Sequence, residues 1–104
     1  MQQDSIKALK GGFSDLRFYV HTGHTCGELW DDALMGIRHA YRRSGKDYPV
    51  ERWLRDILEE DRNVACMTAE MASAVLNEQY EKAAQLRDAI EASKGKSPLI
   101  EEVC

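Results

Sequence analysis

Cysteine is scarce and scattered in this chain: Cys26, Cys66 and Cys104 are all it has. An odd, dispersed set excludes the disulfide framework of a small secreted domain. No C-x-x-C pair is present, so the paired ligand sets that announce a structural zinc site are missing. Long apolar runs are missing too, none approaching the roughly 18 residues of a membrane span. The opening MQQDSIKALKGG lacks the apolar core of a signal peptide. A strong charge of one sign is also absent, and a formal net charge of −4 neither recommends nor excludes nucleic acid. These absences lead to the expectation of a cytoplasmic chain with reduced thiols, no membrane contact, no metal and no cofactor.

What is present suits a modest globular core. The 104 residues are 43% hydrophobic, enough for one domain and short of two. A single helical domain is expected over 1–104, with 1–12 and 95–104 as flexible tails. Gly11-Gly12 is read as ending a short first run that holds Ile6 and Leu9. Over 13–20, Phe13, Leu16 and Val20 fit helical steps, although Leu16-Arg17-Phe18-Tyr19-Val20 also suits a strand. A lone strand would find nothing to pair with, which favours helix. Thr25 and Glu28 have the spacing of a capping box. Behind them Trp30, Ala33, Leu34, Ile37 and Tyr41 make a buried stripe, and Gly45 supplies a stop, giving a helix over about 26–43. Pro49 opens the next helix, whose apolar face is Val50, Trp53, Leu54, Ile57 and Leu58. Glu59-Glu60-Asp61 is poor at a helix C-terminus, yet no Gly or Pro intervenes before Val64. One helix or two over 49–77 are both compatible with that pattern.

The rest of the chain is organised around MASAVLNEQYEKAAQLRDAI, residues 71–90. Val64, Met67, Met71 and Val75 recur at steps of three and four, and Tyr80, Ala83, Leu86 and Ile90 do so again after a break. Asn77 tolerates the left-handed conformation that ends a helix, and Ala83 and Ala84 are small enough to let two helices approach closely. An antiparallel helical hairpin with its second arm over about 80–93 is expected. At these positions the sequence resembles a known family. Met71, Tyr80-Glu81, Ala83-Ala84, Leu86-Arg87-Asp88 and Ile90 resemble the UVR motif, the helical hairpin of the repair proteins UvrB and UvrC and of Clp-protease partners such as ClpC and McsA. The resemblance covers about 64–93. It implies a hairpin that docks on proteins or pairs with its own copy. The partner-binding residues it points to are Met71, Tyr80, Ala83, Ala84, Leu86, Arg87 and Ile90. Glu78 departs from the family, which often has an apolar residue there.

Other candidate chemistry is sparse. His21, His24 and Cys26 lie close together in HTGHTCG, with Cys66 or His39 as a fourth ligand, but a polar loop accounts for them better than zinc. Cys26 lacks an evident base and orienting carboxylate, so a catalytic thiol is not expected. Between 38 and 55 six basic residues (Arg38, Arg42, Arg43, Lys46, Arg52, Arg55) meet two acids, a local +4 in a chain of −4. Two helices joined by Ser44–Tyr48 resemble a helix-turn-helix whose basic side chains would meet phosphates.

The expectation is therefore an all-α bundle ending in a helical hairpin. Its role would be that of a non-enzymatic interaction module, an adaptor or regulator for a larger repair or Clp-type machine, or for its own copy. The alternative is a nucleic-acid-associated accessory protein that uses the 38–55 segment.

Overall fold

Apolar spacings of three and four run through the chain, and each such run becomes a helix. The computed structural model describes residues 2–103, and their side chains from 4 to 93. Five helices follow one another: α1 (Gln2–Thr22), α2 (Glu28–Ser44), α3 (Val50–Glu59), α4 (Arg62–Leu76) and α5 (Tyr80–Val103). No strand occurs among the described residues, and the fold is all-α, a small bundle closed by the α4–α5 hairpin.

Leu9, Phe13, Leu16 and Val20 line one face of α1 and are buried, which decides 13–20 in favour of helix. Where a tail was expected over 1–12, the backbone is helical from Gln2, and Ser5 and Leu9 are buried. Gly11-Gly12 does not stop the run. A Cβ at Gly12 would stand 2.4 Å from Ile37 Cγ1, so this glycine belongs to the crossing with α2 rather than to a helix end. The expected tail over 95–104 falls outside the residues whose side chains are described.

α1 ends at Gly23, whose φ of 81° lies in the left-handed region. His24 N–H donates to Tyr19 O at 2.8 Å and Gly23 N–H to Val20 O at 3.3 Å, the paired bonds of a Schellman motif. The expected Thr25–Glu28 capping box does not form. α2 starts at Glu28 with Gly27 as its N-cap, at φ 99° and with no side-chain cap bond, so Thr25 stands too far ahead of the first turn. Gly45 does supply the stop, in the left-handed conformation.

The 49–77 stretch is two helices. Glu60 turns extended, and the Asp61 carboxylate accepts from Val64 N–H at 3.0 Å to cap α4. This break folds α3 back onto α4. α2 packs on one flank of α1 and α4 on the other, while α3 and α5 both lie on α4. Among the described residues the main core cluster joins faces of α1, α2, α3 and α4 and takes none from α5, whose Ala83 and Ile90 are buried against α4. Trp30 and Trp53 are both buried, but each meets α1 rather than the other. Trp53 touches Phe13 edge-on with centroids 5.7 Å apart, and Trp30 lies 6.4 Å from Tyr19.

Candidate partner-binding groove

Because α5, among the described residues, is docked on α4 and on no other helix, the space between α5 and α3 stays open. It forms a groove of about 580 Å³ with α4 as its floor. Three periodic faces line it. α3 and its N-cap supply Pro49, Arg52, Trp53 and Asp56; α4 supplies Thr68, Met71 and Val75; α5 supplies Tyr80, Ala83, Ala84, Arg87, Ile90 and Glu91. Each set repeats at three or four residues, as a helix face must.

Of the partner-binding residues expected from the sequence, Met71, Tyr80, Ala83, Ala84, Arg87 and Ile90 come together here. Leu86 does not, and stands half-buried outside the groove. Ala83 and Ile90 are buried against α4, whereas Tyr80 is 63% exposed at the hairpin tip, a large apolar ring left to solvent. Among the described residues the Arg87 guanidinium reaches only the neighbouring Asp88, at 3.3 Å on the exposed surface, a contact of little energetic weight.

The hairpin turn is a second Schellman motif. Gln79 N–H donates to Ala74 O at 2.8 Å and Glu78 N–H to Val75 O at 3.0 Å. The left-handed residue is Glu78, at φ 61°, and not Asn77, whose φ is −90°. Asn77 serves instead by donating from its side chain to Ser73 O at 2.9 Å.

Thr68 occupies the groove floor. It is 1% exposed, and its hydroxyl has no hydrogen-bond partner among the described residues. Sequence reasoning does not single out this residue, nor α3 as a wall: it groups Arg52 with the phosphate-contacting set and places Trp53 on the apolar face of its helix. The spacing of Pro49, Arg52, Trp53 and Asp56 carried the signal, but it became meaningful only with the break at Asp61.

The basic segment is arranged differently. Arg38 pairs with Glu51 at 3.4 Å, tying α2 to α3. Arg42, Arg43, Lys46 and Arg55 are exposed, and no ion pair among the described residues involves them. α2 and α3 approach each other over few residues, because each packs mainly on another helix. The His21, His24 and Cys26 group does not assemble: His24 Nδ1 bonds Thr22 Oγ1 at 2.9 Å, and no cluster of three metal-binding side chains occurs among the described residues. Burial pushes the Cys66 thiol above its ordinary pKa, and Arg62 and Arg17 partly offset that rise. No helix among the described residues is long and apolar enough to cross a membrane.

Comparison with known proteins agrees with the hairpin geometry. Residues 63–96 match the family described as the UvrB/uvrC motif, UVR. The match spans α4 and the first part of α5, about a third of the chain. No curated protein and no solved structure matches the chain.

Proposed function

We propose that this chain is a small non-enzymatic protein–protein interaction module, an adaptor or regulator that presents its UVR-type hairpin to a larger machine of the repair or Clp class. One observation carries the reading: all but Leu86 of the hairpin residues singled out by the family pattern line one open groove, with an exposed tyrosine at its end. Exposed aromatic and arginine side chains beside an apolar trough are what binding hot spots are made of.

The test compares Tyr80→Ala with wild type for capture of defined repair and Clp-type partners, or for self-association by light scattering. Tyr80 is exposed, so the variant keeps its helicity. Loss of association supports the module reading, and unchanged association in the folded variant overturns it.

A second reading rests on Arg42, Arg43, Lys46 and Arg55, four exposed cations free of ion pairs among the described residues. Contact with phosphates through them predicts duplex binding that falls steeply with salt and is lost in Arg42→Glu/Arg43→Glu. Salt-insensitive binding, or none at low salt, removes that reading.

A further inference from the structure

α3, α4 and α5 are three helices of a bundle whose fourth corner is empty among the described residues. The lining positions on α5 run from Tyr80 to Glu91, about 17 Å at the rise of a helix, or three turns. The trough between two helices lying on a third is the shape that a further helix fills. Its two walls carry one arginine each, Arg52 on α3 and Arg87 on α5. Arg52 has no ion pair among the described residues, and Arg87 has only its exposed neighbour Asp88. Of the two acids on the rim, Asp56 already has a partner within the chain, and Glu91 stands at the last lining position of α5. The open charges at the middle of the trough are therefore positive, in a chain whose net charge is −4.

The floor of the groove also carries a buried polar side chain. A threonine within a helix ordinarily returns its hydroxyl to the carbonyl one turn back. Thr68, which lines the groove floor, is 1% exposed, and its hydroxyl, like that of Ser73 outside the groove, has no hydrogen-bond partner among the described residues.

We propose that the groove seats one amphipathic helix of another protein, with an apolar ridge against Trp53, Met71 and Ile90 and carboxylates paired to Arg52 and Arg87. This rests on the interaction-module reading and adds the class of partner and a wall outside the family hairpin. Bidentate guanidinium–carboxylate pairs on both sides set the register of the incoming helix, while the apolar floor supplies the attraction.

The experiment uses the full chain and two fluorescently labelled synthetic peptides, read by anisotropy. Both peptides are helical and carry leucine at i, i+3, i+4 and i+7, flanked in one by glutamate and in the other by lysine. The glutamate peptide is expected to bind wild type and the lysine peptide to bind at least about tenfold more weakly. In Arg52→Glu/Arg87→Glu, two exposed positions, the preference is expected to invert, a rescue that a merely unfolded variant cannot show. No binding of the glutamate peptide to wild type overturns the proposal, and so does binding that the double reversal leaves unchanged. If Tyr80→Ala abolishes binding while Arg52→Glu/Arg87→Glu does not, partners use the hairpin without α3; the module reading then stands and this inference falls. A concentration-dependent dimer broken by Arg52→Glu/Arg87→Glu would give the groove to a second copy and likewise overturn it.

Discussion

Gly12 of α1 and Ile37 of α2 meet so closely that a methyl group on Gly12 would fall 2.4 Å from Ile37 Cγ1 and 3.1 Å from Cδ1. Ile37 is 1% exposed and fixed in the core, so it has little room to yield. The neighbouring Gly11 meets nothing within 4 Å. The two glycines therefore answer oppositely to one substitution. Gly12→Ala is expected to destabilise by about 1–3 kcal/mol through overpacking. Gly11→Ala is expected to stabilise by about 0.5–1 kcal/mol, because alanine is the better helix former. Urea unfolding of both variants checks the pair. A common sign would mean that the α1–α2 crossing is not where the structure puts it.

That pair also marks what the sequence could and could not disclose. Apolar periodicity at Trp30 to Tyr41, at Val50 to Ile57 and at Tyr80 to Ile90 announces helices, because it reports burial face by face. A Gly-Gly step reads as a stop only if helix propensity decides, and at Gly12 tertiary packing decided instead. The groove was half legible: Met71, Tyr80 and Ile90 stood out by spacing and resemblance, whereas Arg52 and Trp53 joined them only through the Asp61 cap that turns α3 back. Thr68 looked like any polar residue within a helix until its burial was known. Local pattern gives the faces; which faces meet depends on breaks one residue wide.

Glu78 is a non-glycine residue held at φ 61° by the two bonds of the hairpin turn. The same motif at the end of α1 is built on Gly23 at φ 81°. A side chain in this conformation costs about 1–2 kcal/mol, which glycine avoids. Glycine loses more entropy on folding, so the net gain is smaller. Glu78→Gly is expected to raise stability by about 0.5–1 kcal/mol while leaving the α4–α5 packing intact. Thermal unfolding followed by circular dichroism checks it, and a fall in midpoint would argue that the Glu78 side chain stabilises the turn.

Arg62, at the start of α4, closes the far end of α1. Its Nε donates to Val20 O at 2.9 Å, and its other guanidinium nitrogen donates to His21 O. These carbonyls lie in the last turn of α1, where a cation both satisfies them and suits the helix dipole. Arg62→Met keeps the aliphatic stem and removes the donors. It is expected to cost about 1–2 kcal/mol, and hydrogen exchange should rise first in the turn around Thr22 and Gly23. Arg62→Lys is expected to recover only part of the loss, since one ammonium does not reproduce a planar fork. Wild-type stability in Arg62→Met would show that the bonds contribute nothing in solution.

Cys66 and Cys26 provide a pH-dependent readout of the same bundle. Cys26 is exposed, whereas Cys66 is half-buried, and burial raises its thiol pKa despite Arg62 and Arg17 nearby. A group whose folded pKa is raised favours the folded state while it stays protonated. The contribution of Cys66 is therefore fully present below the ordinary thiol pKa and is lost as pH rises through the raised value. Thiolate is the reactive form, so in a Cys104→Ser background an aromatic disulfide reagent is expected to modify Cys26 first and Cys66 slowly at neutral pH. Raising the pH should accelerate Cys66, and urea should bring the two rates together. The decline in stability at alkaline pH should be smaller in Cys66→Ala than in the parent. Equal rates for the two thiols in the folded chain would contradict the burial of Cys66, and with it the packing of α4 beside Arg17 of α1.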